Sequence, residues 1–483
     1  MRQTSTNYKA AVAALALMLA ALPARSADRQ LLDILLENGA ITQEQYDELI
    51  GRDTLAAEDV IDAAGADSET SPGAEPTPEP ETTLEAEVSR QIEAETPVKA
   101  SYGPSGFRLE TRDGNFQTNL QWRAQFRYTD PTNTDPRQLE EFAETGTWTF
   151  EPRRLRMKIG GHGFRPWLKY YFEIDLQPAR EVDADTSTSG ARAIDWRIDI
   201  ARWDWGGIRL GQWKIDLNRE RVDSSGRQQF VERSIVNRTF TIDRQIGIQL
   251  RGRAFKGTAA DLSWYAGVFN GEGRSVRNVT ANYLAMGRLQ WNFLGRELAW
   301  RQTDVEFTEK PTGSFAIAGF SNTGPCTRWS SSGCGNLDGF DSPGDADPEQ
   351  FRIEQAVQEF AFKYRGLSLQ QEYHRKFIRD RVVGSVSDLT GAYLQAGYFF
   401  HYMMPAIPAP LEFAARYAYV EEPNEIERNV YNEREEYTLG ANWFFNGHDN
   451  KLTLDYSYLT IDDGLAGLND SINRIRLQWD ISF

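Results

Sequence analysis

The stretch "NRIRLQWDISF", residues 473–483, alternates strictly between apolar and polar side chains. Ile475, Leu477, Trp479, Ile481 and Phe483 share one face of an extended strand, and charged or amide side chains occupy the other face. A strand of this kind is either the edge of a soluble sheet or one strand of a membrane barrel that is apolar outside and polar inside. The remainder of the sequence decides between these alternatives.

The composition favours many amphipathic strands. The chain has 483 residues, of which 12% are aromatic and 39 are glycine. Its mean hydropathy is nevertheless only −0.56. The length would accommodate two or three soluble domains or one large barrel, and this mixture of aromatic, glycine and charged residues is unusual for a soluble enzyme of this size.

Residues 1–27 are predicted to form a signal peptide. Arg2 and Lys9 supply a positive start, the apolar run 10–22 is too short to span a membrane as a helix, and "PARSAD" offers small residues for cleavage. The sequence after this segment contains no run of 18 apolar residues, so it predicts no transmembrane helix. The mature chain is therefore expected to be periplasmic, secreted, or inserted in the outer membrane as a barrel.

Residues 28–100 hold most of the net negative charge of the mature chain, with 19 acidic and 4 basic side chains. Within this segment, 28–51 reads as two short helices, since Thr42 and Gln45 form a capping-box pattern after Gly39. Residues 52–100, rich in Ala, Glu, Pro and Thr, read as an acidic disordered linker. The helical pair is either a small accessory element or a module for periplasmic or cell-wall contact or for oligomerisation.

From Gly106 onward the hydrophobic pattern has a period of two. We predict about sixteen strands, centred near residues 122, 158, 171, 198, 211, 248, 264, 287, 301, 361, 371, 394, 416, 440, 455 and 478. Short connections such as "GFRP", "YRG" and "FNGHDN" alternate with long ones near 130–151, 178–191, 217–241, 308–355 and 421–434. Short turns on one side and long loops on the other, with an even strand number, are typical of outer-membrane barrels.

The sequence thus predicts an all-β protein, with residues 101–483 forming a 16-stranded antiparallel transmembrane β-barrel in the bacterial outer membrane. The apolar alternates would contact outer-membrane lipids and the charged alternates would line a lumen. Pairing of the last strand with the first would remove both free edges. The terminal Phe483 resembles the carboxy-terminal aromatic that outer-membrane proteins commonly present to their assembly machinery.

A barrel of sixteen strands leaves an aqueous channel, so its function depends on what narrows that channel. The long loop "KIDLNRERVDSSGRQQFVERSIVNRTFTIDRQ" is dense in arginine and, folded inward, would present guanidinium groups suited to phosphate or carboxylate. Arg197 on a predicted lumen face and Arg227 in the loop belong to the same basic pattern. The anion path is predicted to comprise Arg154, Arg156, Lys158, Arg209, Lys214, Arg219, Arg221, Arg233 and Arg244. Acidic residues alternate with these, so mutual pairing of the charges is the competing interpretation.

The two cysteines, Cys326 and Cys334, lie eight residues apart in a Gly/Ser-rich stretch. In an oxidising compartment such a pair is expected to form a local disulfide that fastens a loop. The four histidines are scattered and none neighbours the cysteines, so the sequence predicts no metal site and no cofactor.

Several stretches resemble the phosphate-selective porin O and P family. They are "IRLGQWKIDLNRERVDSSGRQQFVERS", "RQIGIQLRG", "WYAGVFNGEG", "GFRLETRDGNFQTNLQWR" and "GANWFFNGHDNKLTLDYSY". The resemblance covers residues 101–483, and the 28–51 segment is similar to one found ahead of the barrel in many members. "LGQWK" and "FVERS" are its most specific parts, and they mark Arg209, Lys214 and Arg233 as motif positions.

The resemblance implies a barrel that assembles as a homotrimer and passes phosphate or related small anions through a basic constriction. Three alternatives stay open at this level: a general or cation-preferring porin, a plugged structural or adhesive barrel, and an outer-membrane hydrolase. The chain has no GxSxG stretch, and any long sequence supplies scattered Ser, His and Asp, so no catalytic residue is predicted. A nucleic-acid partner is likewise not predicted.

Overall fold

A computed structural model describes residues 98–103, 106–131, 135–143, 146–176, 191–278, 280–331 and 333–483. The predicted signal peptide, the helical segment 28–51 and the linker up to residue 97 lie outside the described residues, and the expectations for them stay predictions. None of the helices within the described ranges is long and apolar enough to cross a membrane.

Sixteen antiparallel strands form one closed barrel, preceded by a short hairpin of β1 (Val98–Gly103) and β2 (Gly106–Thr111). The first nine barrel strands are β3 (Gln117–Asp130), β4 (Thr149–His162), β5 (Leu168–Asp175), β6 (Arg192–Trp203), β7 (Gly206–Lys214), β8 (Arg244–Ala254), β9 (Leu262–Phe269), β10 (Leu284–Trp291) and β11 (Thr312–Gly324). A small separate ribbon follows, made of β12 (Arg328–Ser330) and β13 (Gly333–Gly335). The remaining barrel strands are β14 (Phe351–Tyr364), β15 (Leu367–Asp380), β16 (Val386–Tyr398), β17 (Leu411–Pro423), β18 (Tyr431–Asn446), β19 (Asn450–Asp463) and β20 (Leu468–Ser482).

The barrel closes by pairing of β20 with β3, from Ile475 opposite Asp130 to Ser482 opposite Arg123. The predicted strand number and closure are therefore confirmed. Beyond the end of β20, strand β2 takes over as the partner of β3, with Phe107 opposite Leu120. The hairpin extends the sheet at this end of the barrel, and the first barrel strand begins later than the predicted boundary at residue 101.

The connections differ in length at the two ends of the barrel. One end carries tight turns at 204–205, 365–366 and 447–449 together with the carboxy terminus. The other end carries the long segments 215–243 and 325–350. Because short turns face the periplasm in outer-membrane barrels, the first end is periplasmic and the second is extracellular.

The two faces of each strand have the predicted character. In β20, Ile475, Leu477 and Trp479 point outward with 48%, 38% and 41% of their surface exposed, whereas Arg476 and Asp480 point inward and are only 4% and 1% exposed. The inward residues are buried because loops fill much of the lumen. The period of two thus places apolar side chains toward lipid and charged side chains toward the interior, as the sequence predicts.

One predicted strand is wrong. Instead of a strand near residue 301, the chain leaves the wall after β10, and the wall resumes with β11 inside the predicted long loop 308–355. Leu298 is 5% exposed in the segment 292–311, which we call the periplasmic insert. The prediction fails for two reasons. Alternating apolar residues that pack inside the barrel have the same sequence pattern as a lipid-facing strand. The small side chains of "TGSFAIAGFSNTG" make the alternation of β11 weak.

Only short helices occur among the described residues. They are α1 (Leu139–Ala143), α2 (Arg219–Val222), α3 (Val236–Phe240) and a single 3-10 turn at Phe400–Tyr402. Both α2 and α3 belong to the segment 215–243, the constriction loop, which connects β7 to β8. Its apolar residues Leu217, Phe230 and Phe240 are at most 1% exposed, so the interior of the barrel has a small hydrophobic core of its own.

Candidate functional site: a basic cavity in the lumen

The constriction loop lies inside the barrel because the facing wall binds its backbone. Carboxylates on the wall accept hydrogen bonds from backbone N–H groups of the loop. These N–H groups have no partner in a β-ladder, and the hydrogen bonds offset the free-energy cost of burying them. These contacts are Glu359 with Arg219 (2.9 Å), Glu372 with Glu220 (2.7 Å), Asp455 with Val231 (2.9 Å) and Glu436 with Ile235 (2.9 Å).

Donors on the same wall bind the loop's carbonyl groups. The ammonium and amide groups that do so lie on strands β14, β15, β18 and β19, next to the carboxylates. These contacts are Gln355 with Phe240 (2.7 Å), Lys376 with Thr239 (2.8 Å), Asn442 with Gln229 (2.8 Å) and Lys451 with Gln228 (2.5 Å). The loop is therefore held against the half of the barrel formed by β14–β20, which we call the anchoring wall.

The periplasmic insert supports the loop from the opposite end of the barrel. The side chain of Gln302 donates to Gln228 Oε1 (2.8 Å) and accepts from the backbone N–H of Gln229 (2.8 Å). Trp300 stacks beneath two arginines, with the guanidinium of Arg219 5.2 Å and that of Arg288 4.7 Å from its ring centre. The lumen is thus narrowed by one segment from outside and one from the periplasm.

The space that remains lies along strands β4–β8, which we call the open wall. A cavity of about 410 Å³, the basic cavity, lies between this wall and the constriction loop. Its lining has seven basic side chains and three acidic ones: Arg156, Lys158, Arg197, Arg209, Lys214, Arg227 and Arg251 against Glu173, Asp195 and Asp216. The local balance is positive although the chain as a whole carries −17.

Three of these cations form no ion pair among the described residues. Lys158 donates to the amide oxygen of Gln121 (3.3 Å), and Lys214 donates to the backbone carbonyl of Asp223 (3.2 Å). Arg227 projects from the constriction loop, and the described residues offer its guanidinium no carboxylate within ion-pair distance. Charges that are paired only with neutral oxygens remain able to attract a mobile anion.

The other predicted cavity residues are neutralised in place. Arg156 pairs with Glu173 (2.7 Å) and Arg209 with Asp199 (2.5 Å). Arg197 pairs with Asp199 (3.3 Å) and lies over the ring of Tyr171 at 4.4 Å. These side chains line the cavity, but their partners reduce their pull on a passing anion.

Five predicted residues are placed outside the lining of the basic cavity. Each of them contacts the constriction loop or a neighbouring segment. Three contact a carboxylate: Arg154 with Glu232 (3.2 Å), Arg221 with Asp243, and Arg244 with Asp195 (2.6 Å). The other two donate to a backbone carbonyl, Arg219 to that of Ala299 (2.6 Å) and Arg233 to that of Glu220 (2.8 Å). Arg154, Arg221 and Arg244 are thus paired with carboxylates, as the competing interpretation predicts, whereas Arg219 and Arg233 donate to backbone carbonyls.

The charges inside the loop are tightly balanced. Burial opposes ionisation of Glu232, but Arg154, Arg127 and Arg153 more than offset it and hold the pKa of this carboxyl well below its usual range. Burial and the neighbouring Arg221 lower the pKa of Arg233 to about 9, so this guanidinium stays protonated at neutral pH. The loop thus keeps its ion pairs over the physiological range.

Two contributors were not singled out from the sequence. Arg251 follows the inward alternation of β8 together with Gln249, so the period of two could have identified it. Trp300 lies where the sequence predicts a wall strand, because no local pattern distinguishes an inserted segment from a strand. A contact across the lumen joins residues that are far apart in the sequence, so no local sequence pattern predicts it.

The extracellular loop 325–350 contains the predicted disulfide between Cys326 and Cys334, with an S–S distance of 2.00 Å. Trp329, between them, donates to the carbonyl of Gly271 (2.9 Å) and is 1% exposed. Among the described residues no group of three or more His, Cys, Asp or Glu could hold a metal ion. The disulfide therefore fastens an extracellular loop near the mouth of the lumen.

Comparison with known proteins identifies a matching protein family. The family model described as phosphate-selective porin O and P matches residues 116–297 and 343–481. A search of curated proteins finds no match.

Similar solved structures include an anion-selective porin from Comamonas acidovorans, at 11% identity and a TM-score of 0.48, covering 76% of this chain and 99% of that one. The outer-membrane channel DcaP of Acinetobacter baumannii is similar at 11% identity and 0.47, covering 77% and 99%. Salmonella typhi OmpF in complex with daunomycin is similar at 13% identity and 0.49, covering 77% and 100%. Since the family model spans most of the chain and the barrel is closed around a lumen, this protein belongs to the phosphate-selective porin O and P family and is a porin of the bacterial outer membrane.

Proposed function

We propose that the protein is an anion-selective channel that passes small oxyanions such as phosphate. The observation that carries the proposal is the group of Lys158, Lys214 and Arg227 around the basic cavity, three cations without a carboxylate partner among the described residues. The family consists typically of non-enzymatic channels, and we propose no enzymatic activity for this member.

The cavities along the open wall support a continuous path. A second cavity of about 620 Å³ shares Lys158, Arg197 and Arg227 with the basic cavity. A third, of about 590 Å³, shares Lys169 and Asp199 with the second and opens near the periplasmic turn of β6 and β7. An anion would move between successive cationic groups, binding each of them weakly enough to leave again.

Phosphate suits this lining because ammonium and guanidinium groups form charge-assisted hydrogen bonds to its oxygens. Hydrogen-bonding neighbours at the same place include Gln121 and Ser224. A monovalent anion such as chloride would use the same positive potential with fewer hydrogen bonds. We therefore expect phosphate to occupy the cavity longer than chloride does.

The test is block of the chloride current by phosphate in single channels of the purified full chain. Wild-type channels should be blocked by phosphate added to either side, and Lys158→Gln should weaken the block because it removes an unpaired charge at the cavity. Lys310→Gln, an exposed lysine of the periplasmic insert outside the cavity lining, is the matched control and should behave as wild type. Equal block of all three channels would contradict the proposed site.

A cation-preferring channel is the second candidate, because acidic side chains gather at the extracellular entrance. Burial and the carboxylates of Glu140, Asp338 and Glu141 raise the pKa of Glu425, which places four carboxyl groups in one neighbourhood. If this cluster controls entry, neutralising Glu425 and Asp338 would reduce cation current. If the basic cavity controls selectivity, the same variant would leave the reversal potential nearly unchanged.

We also propose that the protein assembles as a homotrimer in the membrane, as the family resemblance implies. Native mass spectrometry of the detergent-extracted full chain would show one dominant trimeric mass. A monomeric mass under conditions that preserve folded barrels would contradict this proposal.

A contact between the segment 28–51 and the periplasm or cell wall is a further proposal that rests on its two predicted helices. Deleting 28–100 should release the barrel from co-sedimentation with peptidoglycan while channel conductance stays unchanged. Unaltered co-sedimentation would remove the idea.

A further inference from the structure

The outer surface of the barrel carries a shallow trough over β10, β11, β14 and β15. Its floor is one register row across the four strands, in which Gly287 is opposite Gly319, Gly319 is opposite Ala356, and Ala356 is opposite Arg375. Three neighbouring positions with at most a methyl group leave the backbone uncovered on a face where the surrounding strands carry large apolar side chains. A Cβ added at Gly287 would meet no atom within 4 Å.

The adjacent row toward the periplasm forms a raised wall beside this floor. It consists of Leu289, Ile317, Gln358 and Tyr373, which are likewise direct partners across the strands. Together the two rows line a depression of about 640 Å³ on the lipid-facing side. Its length across four strands, about 15 Å at the usual strand spacing, matches an extended acyl chain rather than a compact solute.

Basic side chains stand at the extracellular border of the trough. Arg352 is directly opposite Arg379, and both point outward. Like charges in directly opposite positions destabilise a sheet, and an anion between the two guanidinium groups would relieve their repulsion. Arg379 has no ion pair among the described residues, whereas Arg352 contacts Glu354 (3.1 Å).

Arg375, at the end of the trough floor, pairs with Asp388 (2.7 Å). The outward face of β14–β16 near this border therefore holds three arginines and two carboxylates. The corresponding region of β17 and β18 is different, because its outward charged residues are Glu421, Glu433 and Glu435. The trough thus lies beside the more basic of the two surfaces.

We propose that the trough binds a phosphorylated, acylated lipid of the outer leaflet, namely lipid A of lipopolysaccharide. One acyl chain lies along the small-residue floor, and a phosphate lies between Arg352, Arg375 and Arg379. The position fits this occupant because the arginines lie toward the long-loop end of the strands, which faces the extracellular side. The proposal concerns the outer surface and is independent of the ion selectivity of the lumen.

The test is titration of the delipidated full chain in detergent with purified lipid A, followed by native mass spectrometry. Two double variants address the two parts of the site: Gly287→Leu with Ala356→Leu fills the floor, and Arg375→Gln with Arg379→Gln removes two charges. The arginine variant should weaken lipid A binding by about thirtyfold, since each of the two lost basic groups contributes roughly fivefold near an anionic lipid surface. The floor variant should weaken lipid A binding because its leucine side chains occupy the space of the acyl chain.

Matched controls lie elsewhere on the same outer surface. Ala415→Leu adds apolar bulk on β17, and Arg202→Gln removes a charge at the periplasmic end of β6, so both should bind lipid A as wild type does. A heat-modifiability gel establishes that every variant is a folded barrel. The arginine variant changes only exposed side chains and is expected to fold. It therefore tests lipid A binding even if the variant with leucines in the floor does not fold.

Three results would overturn the proposal. The first is equal lipid A binding by wild type and by the folded double variants. The second is phosphatidylglycerol binding as tightly as lipid A, which would show that any anionic phospholipid suffices. The third is a change of oligomeric mass, without loss of lipid A, when the floor is filled, which would assign the trough to a second copy of this chain.

Discussion

The anchoring wall and the open wall present the same kinds of residue to the lumen and use them differently. On the anchoring wall, carboxylates such as Glu359 and Glu372 accept backbone N–H groups of the constriction loop. On the open wall, Lys158 and Lys214 face free space and contact only neutral oxygens. These acidic residues of the anchoring wall therefore hold the loop in place, and part of the basic complement of the open wall remains available to solutes.

This comparison shows why the net charge of the barrel region is a poor guide to the charge balance at the basic cavity. A carboxylate that is fully engaged by peptide N–H groups and arginines contributes little to the potential in the open part of the lumen, whereas an unpaired ammonium contributes fully. The division of the lumen, rather than the sum of its charges, determines the local field.

Reversing charge at the basic cavity should have the largest effect. Replacing Lys158 and Arg227 together by glutamate changes the balance of the basic cavity by four charges and should convert an anion-preferring channel into a cation-preferring one. We expect the anion-to-cation permeability ratio to fall by at least about tenfold, the consequence of roughly 1.4 kcal/mol. Reversal potentials under a salt gradient measure this ratio, and an unchanged sign would show that the selectivity filter lies elsewhere.

Removing an anchor should destabilise the barrel without reversing selectivity. Glu359→Ala leaves the guanidinium of Arg288 buried without its partner, and removal of one member of a buried pair costs about 3–5 kcal/mol. The midpoint of urea unfolding should fall, and the open-channel current should become noisier as the loop loosens. Glu433→Ala, an exposed outward carboxylate, is the control and should leave both quantities unchanged.

Acidification should loosen the constriction loop through Glu232. The pKa of Glu232 is lower in the folded protein than in the unfolded chain, so its ion pairs stabilise the fold above the unfolded pKa of about 4.3 and are lost as the pH falls through the lower, folded value. We expect current noise to increase only in strongly acidic solution. Glu232→Gln lacks this titration, so its noise should depend less on pH; identical pH profiles would assign the effect to another group.

The smallest effect is expected from the periplasmic insert. Gln302→Ala removes neutral hydrogen bonds to Gln228 and Gln229, each contributing about 1 kcal/mol. Conductance should rise modestly because the lower support of the loop is weakened, and selectivity should persist because the open wall is untouched. A loss of selectivity in this variant would show that the insert, not the open wall, sets the preference.

The sequence predicts the wall of the barrel well because each wall residue obeys a local rule. Trp479 faces lipid and Asp480 faces the lumen in a strand whose pattern has a period of two. The same rule places Arg156, Lys158 and Arg209 on the lumen side. Fifteen of the predicted strand centres fall within barrel strands, and the exception is the one near residue 301.

The site is less predictable because it depends on contacts between distant segments. No local pattern shows that Arg219 donates to the carbonyl of Ala299, about 80 residues away, while Arg227 has no carboxylate within ion-pair distance in the described part of the chain. Both arginines belong to the same basic loop. The sequence therefore identifies the loop that narrows the lumen, and the structure distinguishes the arginines that brace it from the cation that faces the cavity.

The most direct test of the central claim is the reversal potential of the wild-type channel in a planar bilayer under a KCl gradient. We expect discrete conductance steps and a reversal potential whose sign shows that chloride is more permeant than potassium. Discrete steps with a potential of the sign given by potassium would contradict an anion-selective open wall.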